Sequence, residues 1–281
     1  MAAAVPRQAV HGLGGVGKTE LALEYAHRFA SDYDVIWWVP SDHPTAVSYA
    51  LARLALRLGV PEQADQSAMI TALFDELRQR DRWLIVYDNA EQPTQLKDLL
   101  PPGGGGHVLV TSRWHAWGNF AASLQLTVMR REESLTFLSR RTGLADEAEL
   151  RRVAELLGDL PLALEEAAAY LEQTGEDLRV YIGLLHDRAA ELFLIDAPYA
   201  SDSNQRRVAT VWSVSLDRVR IQAPEAEALL NLFAFLAPDV PRDLPAENPL
   251  KLPTELARTV NDRLAYNQVI MAIGRFSLAA K

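Results

Sequence analysis

Apolar and polar positions follow two regimes along the chain. Up to about residue 128, short apolar runs recur at 8–11, 35–39, 83–87, 107–111 and 124–128, and stretches with helical spacing separate them. Continuous apolar runs of this length are what a strand covered on both faces requires, and their alternation with helices predicts an α/β parallel sheet. In the first helical stretch Ala22, Tyr25, Ala26 and Phe29 make an i, i+3, i+4, i+7 stripe, with Glu20, Glu24, His27 and Arg28 on the other face. Residues 45–58 and 67–80 have helical spacing as well, and the Pro-Pro-Gly-Gly-Gly-Gly stretch at 101–106 predicts a loop, neither helix nor strand.

Beyond residue 130 the strand pattern stops. Residues 132–141, 146–157, 161–173 and 178–188 predict four short helices, and 207–219, 225–236 and 266–276 predict three more. The shift sets one boundary near 129, and the polar, turn-rich segment 196–204 sets a second near 200. A loop punctuated by Pro238, Pro241, Pro245, Pro249 and Pro253 divides the last part.

Bulk composition narrows the picture modestly. At about 150 residues per domain, 281 residues make roughly two compact units. The absence of cysteine excludes disulfides and thiolate metal sites. With neither a secretory leader nor an apolar run of about 20 residues, the expectation is a soluble, cytoplasmic protein with no membrane partner. The net charge of −9 argues against nucleic acid as a partner, because phosphate backbones select for clustered Lys and Arg. The six histidines lack metal-type spacing, and the Trp37-Trp38 pair, like Leu229, Leu230, Leu232, Phe233 and Leu236, reads as core.

The candidate chemistry begins at Gly12-Leu13-Gly14-Gly15-Val16-Gly17-Lys18-Thr19, a G-x-x-x-x-G-K-[ST] phosphate-binding loop between a strand and a helix. Glycines at Gly12, Gly14, Gly15 and Gly17 let backbone amides turn inward around a phosphate, and Val16 sits among them. Lys18 brings a charge to the β/γ oxygens, Thr19 a hydroxyl for Mg²⁺, and a helix opening at Lys18-Thr19-Glu20 directs its positive end at the anion. The run Trp83-Leu84-Ile85-Val86-Tyr87-Asp88 is a buried strand ending in an acid, so Asp88 is the second candidate for the metal, a Walker B carboxylate. Alone, an apolar strand ending in Asp is common; paired with the upstream loop it carries weight. Asn89 follows where many such ATPases have a second acid. It can hold a water but cannot take its proton, which predicts slow hydrolysis unless another base, such as nearby Glu91, replaces it. Arg113 closes the strand Val108-Leu109-Val110-Thr111-Ser112 at the edge where α/β sheets bind ligands, and is the candidate to contact a γ-phosphate. No Asn-Lys-x-Asp guanine reader occurs, which favours adenine: the expected ligand is ATP or ADP with Mg²⁺.

Taken in order, the loop at 12–19, the strand 84–89, the strand 108–113 and Gly158-Asp159-Leu160-Pro161-Leu162-Ala163-Leu164 resemble the NB-ARC family, a branch of the STAND signal-transduction ATPases. The bacterial members with tetratricopeptide tails are the most similar. The resemblance implies an α/β P-loop NTPase domain at 1–128, a small helical domain at 129–200 and a winged-helix domain at 201–281. It places the sensor strand 108–111 between the P-loop strand and the Walker B strand. It implies that Pro161 and Leu162 pack on the adenine–ribose side and that residues from Val5 to Arg7 close the base pocket. It also implies a switch, closed with ADP and open with ATP, that self-associates in the open state. On the residues alone, Leu160-Pro161-Leu162 equally well starts a helix, since proline favours a first helical turn. Two features depart from the family pattern. Asp159 stands where many relatives have glycine, and the histidine-bearing motif that follows the winged helix is not reached, so an excised switch module lacking effector and sensor segments is expected. The rivals are an ATPase whose turnover is the output, a transcription regulator docking its winged helix on DNA, and a scaffold with a structural nucleotide.

Overall fold

A computed structural model describes residues 6–194, 203–236 and 241–278, and the chain divides into two compact units, Met1–Thr127 and Val128–Lys281. The expected boundary near 200, Val5 and Pro238 lie outside the described residues.

The first unit is a parallel five-stranded sheet. In chain order its elements are β1 (Arg7–His11), α1 (Lys18–Arg28), β2 (Val35–Pro40), α2 (Pro44–Arg57), α3 (Gln66–Arg78), β3 (Asp81–Ala90), β4 (Gly105–Ser112) and β5 (Ala122–Gln125). The strands lie in the order β2-β3-β4-β1-β5, all parallel, so β4 sits between the P-loop strand and the Walker B strand as the resemblance implies. Apolar side chains alternate between two cores. Ala9, Val39, Trp83, Ile85, Tyr87, Val108 and Val110 face α2 and α3, while Val10, Leu84, Val86 and Leu109 face Ala22 and Ala26 of α1. Burial on both faces is why these strands read as unbroken apolar runs. Trp37 and Trp38 are only half-buried, one against each core. The α1 stripe is narrower than its sequence: Ala22 and Ala26 are buried, whereas Tyr25 and Phe29 are exposed and pair with each other at 4.8 Å.

All five strands differ at an end from expectation, β1, β2 and β3 by one to three residues, and the shifts of β4 and β5 have a physical reason. Gly105 and Gly106 belong to β4 rather than to a loop. A Cβ on Gly106 would come within 2.0 Å of Trp83 Cδ2 and one on Gly105 would collide with Asp81, so the glycines serve a close approach of β4 backbone to β3, which composition alone reads as a breaker. The last strand runs over Ala122–Gln125, not 124–128, because its ladder starts with Ala122 opposite Gln8, before the apolar alternation that drew attention to it.

The second unit is helical: α4 (Arg131–Thr142), α5 (Glu147–Leu156), α6 (Pro161–Thr174), α7 (Leu178–Leu194), α8 (Ser203–Gln222), α9 (Glu225–Ala234), α10 (Leu244–Glu247), α11 (Thr254–Asn261) and α12 (Arg263–Arg275). The helix α11 and the short α10 fall in the stretch that its prolines made read as an irregular loop; Pro253 is the N-cap of α11 and Pro245 lies in the first turn of α10, positions where a missing amide costs nothing. Helix α8 packs on α6 and α7, and Tyr170 of α6 stacks on Tyr181 of α7 at 4.9 Å and meets Phe276 at 6.1 Å. Of the residues expected in the α9 core, Leu229 and Leu230 are buried, and Leu232, Phe233 and Leu236 are half-buried. No described residue after Gln125 is in a strand, and among the described residues no helix is long and apolar enough to cross a membrane.

Candidate functional site

The glycine-rich loop leaves β1 at its carboxyl end and feeds α1. Gly17 is the N-cap of α1 in a left-handed conformation, φ 91°, with no side-chain cap, so the first-turn amides of the helix have no side-chain acceptor. Gly12 also needs to be glycine: at φ +155° a Cβ would meet Leu126 O at 2.3 Å. Val16 of the loop is buried, and Glu20 is exposed in the first turn of α1.

Charged and hydroxyl groups converge on this loop. The Lys18 ammonium donates to Gly12 O at 3.0 Å and Leu13 O at 2.8 Å, which folds it over the loop. Burial, and then the neighbouring Arg113 guanidinium, depress its pKa, while Asp88 pulls it upward. Arg113 lies across Gly14, with Cζ 3.7 Å from where a Cβ on that glycine would stand. Thr19 Oγ1 donates to Asp88 Oδ1 at 2.9 Å. Sequence reasoning therefore placed Lys18, Thr19, Asp88 and Arg113 in one cluster, and the structure brings them together.

Behind that cluster the ends of β3 and β4 are laced by hydroxyls. Between Tyr87↔Val110 and Ala90↔Ser112 the register shifts, so Asp88 and Asn89 of β3 oppose Thr111 alone. Asn89 sits at the pivot with φ 61°, its side chain exposed. Thr111 Oγ1 accepts from Asn89 N at 2.8 Å and donates to Asp88 Oδ1. Ser112 Oγ donates to Ala90 O at 2.6 Å and accepts from Trp114 N at 2.9 Å, and Ser41 N donates to Asp88 O at 2.8 Å. The parts of Thr111, Ser112 and Ser41 escaped sequence reasoning; the available signal was a pair of hydroxyl residues ending a buried strand just before the candidate sensor.

Other predicted residues lie elsewhere. Arg7 opens β1, at the other end of the strand from the glycine loop, and donates from Nη2 to Pro101 O at 2.8 Å; the structure does not bring it to Lys18 or Asp88. Pro161 and Leu162 belong to the second unit, where Pro161 is the first residue of α6 and Leu162 is exposed. The turn before α6 explains the Asp159 departure. Gly158 and Asp159 are both left-handed, at φ 64° and 55°, a conformation that glycine adopts freely and aspartate tolerates. Asp159 also pairs with Arg131 through two bonds of 2.8 Å. Burial pulls its pKa up, but hydrogen bonds from Arg131 and Ser134 outweigh it and hold the carboxyl below its ordinary value.

Oxygen donors shared between a helix-start hydroxyl and a strand-end carboxylate suit Mg²⁺, a hard cation that takes few protein ligands beside phosphate oxygens. The amide-lined loop, with Lys18 over it, suits a polyphosphate. Together these are the parts of a nucleotide site.

The NB-ARC domain model matches residues 7–147. A nucleotide-binding leucine-rich repeat (NLR)-like protein of Hyaloscypha variabilis is 26% identical over 82% of this chain and 27% of its own length. The regulatory protein AfsR of Streptomyces griseus is 36% identical over 58% of this chain and 18% of its own. Among solved structures, a STAND protein with a tetratricopeptide repeat sensor from Pyrococcus horikoshii aligns with 99% of this chain and 57% of its own, at 15% identity and a TM-score of 0.44. The chain thus spans about a quarter or less of the length of the curated relatives it matches. With the family model covering the whole sheet, the glycine loop, Asp88 and Arg113, this chain belongs to the NB-ARC family of P-loop NTPases.

Proposed function

We propose that this chain is the nucleotide-operated core of a signalling switch, in which ADP favours a closed state, ATP an open, self-associating one, and slow hydrolysis resets it. The observation that carries the reading is the cluster Lys18–Thr19–Asp88–Arg113: two cations, a hydroxyl and a carboxylate gathered at one amide-lined loop. The similarity to NLR-like and regulatory proteins supports a signalling role for the whole protein over a metabolic one. On this reading residues 129–200 and 201–281 are the family's helical and winged-helix domains, and Pro161 and Leu162 meet the adenine–ribose side.

Each residue has a part. Lys18 and the loop amides hold the β-phosphate, and the Thr19 hydroxyl and Asp88 hold the cation. Magnesium, when bound, neutralises charge on the triphosphate. Asn89 orients a water without accepting its proton, which keeps hydrolysis slow. A ligand shifts a two-state equilibrium only through a difference in affinity for the two states, so something must distinguish ATP from ADP. Arg113 is the residue assigned that contact on this reading, supported by its lying across Gly14 beside Lys18.

The test is to denature purified protein, identify released nucleotide by chromatography, and then titrate ATP and ADP into wild type and Arg113→Ala. Recovered ADP and about tenfold loss of ATP-over-ADP preference in the variant, near 1.4 kcal/mol, are expected. Recovered guanine nucleotide overturns the base assignment, and unchanged discrimination removes Arg113 from the role.

A further inference from the structure

Asp88 is held by more than its strand. The one proton of the Thr111 hydroxyl goes to Asp88 Oδ1, and its lone pair receives Asn89 N–H at 2.8 Å, so both capacities of the hydroxyl are fixed by β3. Thr111 is 1% exposed, and water does not compete for either bond. Asn89, left-handed at φ 61°, is the pivot of the shifted register, and one position further Ser112 Oγ ties β4 to Ala90 O. Arg113 follows at once in the chain.

The geometry points to Thr111 as a positioning residue that couples the sensor end of β4 to the metal-holding carboxylate. Its hydroxyl sets the rotamer of Asp88 and pins the Asn89 bulge, so the Arg113 end of β4 and the Asp88 carboxylate are joined by direct hydrogen bonds. A displacement at Arg113 on loss of a γ-phosphate would reach the cation site through Thr111 rather than through the loop. The inference rests on the nucleotide–magnesium reading above and adds to it a residue that does not touch the ligand. The same hydroxyl keeps Asp88 Oδ1, which also accepts from Thr19, turned toward the helix start where the cation is expected.

Thr111→Val keeps the shape and removes the hydroxyl, and Thr111→Ser restores it. Fluorescent ATP and ADP analogues are titrated into wild type and both variants, once with Mg²⁺ varied and once in EDTA, with thermal melts as a folding control. In the valine variant the Mg²⁺ midpoint is expected to rise about tenfold, the scale of losing a residue that orients a ligand to a metal, with EDTA affinity within twofold of wild type. Serine is expected to return the midpoint to wild type. Should valine not fold, Thr111→Ala against Thr111→Ser makes the same comparison. An unchanged Mg²⁺ midpoint overturns the proposal. So does an equal loss with and without Mg²⁺, which marks a purely structural role, or a serine variant that fails to rescue. Wild type that binds no nucleotide in either condition overturns the functional reading and this proposal with it; a wild type that binds, beside an indifferent valine variant, overturns this proposal alone.

Discussion

Buried polar groups at the carboxyl edge of the sheet and three of those in the α6–α7–α8 core are treated in opposite ways. At the carboxyl edge of the sheet, Ser41, Thr111 and Ser112 are 2%, 1% and 0% exposed, and every one of their hydroxyls is bonded, to Val39 O, Asp88 and Ala90 O respectively. In the helical unit Glu166 Oε2, Tyr181 OH and Ser215 Oγ are just as deep on α6, α7 and α8, and they have no hydrogen-bonding partner among the described residues. The first unit's own orphans, Arg7 Nε and Trp117 Nε1, belong neither to the glycine loop nor to the Asp88 cluster. A fully satisfied network has one favoured arrangement, as a site must that holds a polyphosphate and a cation in register. An unsatisfied group costs about 1–3 kcal/mol, so the α6–α7–α8 core sits at higher energy than its apolar packing alone would give.

The largest break in this comparison comes from removing the group on which the satisfied edge converges. Lys18→Ala is expected to lower nucleotide affinity at least about 100-fold, near 3 kcal/mol, through loss of a charge-assisted contact to phosphate. The fold should survive, since its Nζ bonds only to carbonyls of its own loop. Calorimetric titration with Mg²⁺ and a parallel thermal melt check both halves; weakly altered affinity would mean that the amides alone hold the ligand.

Next in size is the pH response of the helical unit. Burial, and then the neighbouring Glu165, push the Glu166 carboxyl from 4.5 up to about 8, and the facing Tyr181 hydroxyl is pushed up by burial, Tyr170 and Glu166. Below about pH 4.5 the folded and unfolded chains both hold the Glu166 proton. As pH rises toward 8 the unfolded chain gives it up and the folded one retains it, so stability falls across that window and levels off above it. Glu166→Gln is expected to remove the slope and to raise stability at pH 8 by about 2 kcal/mol, read from urea unfolding between pH 5 and 8. A wild-type curve that is flat over this range would show the carboxyl to be solvated.

Legibility in the sequence follows the same division. The sheet was readable because its central strands β3 and β4 are buried on both faces, and the glycine loop because its backbone must turn where Cβ atoms cannot go, as Gly12 against Leu126 O illustrates. Lys18, Thr19, Asp88 and Arg113 were readable because charge and hydroxyl chemistry at strand ends has few structural uses. Thr111 and Ser112 were not assigned, since their work is a cross-strand contact between positions 22 residues apart in the chain, which no local pattern encodes. Gly105 and Gly106 misled for a related reason: what they accommodate, Asp81 and the Trp83 ring respectively, is distant in sequence. Within the helical unit, apolar spacing foretold helices but not that Glu166 points inward, because its helix is buried on most sides and leaves little amphipathic signal. Arg7 shows the converse, a charge near the loop in sequence that the strand carries to the other end of the sheet.

The smallest effect gives the sharpest form of the comparison, because it uses one substitution at two equally buried sites. Ser112 and Ser215 are both 0% exposed, and serine to alanine removes the same single oxygen from each. At Ser112 the change deletes a bond to Ala90 O and strips Trp114 N of its acceptor, so about 1 kcal/mol of destabilisation is expected. At Ser215 the hydroxyl bonds to nothing among the described residues, and its removal relieves a desolvated dipole at little cost in volume, so the change should be neutral or stabilising by up to about 1 kcal/mol. Denaturant unfolding of both variants against wild type reads the difference directly. Opposite signs uphold the contrast between a closed network and an open one, whereas equal destabilisation would mean that Ser215 is satisfied after all, by a water that joins α8 to its neighbours.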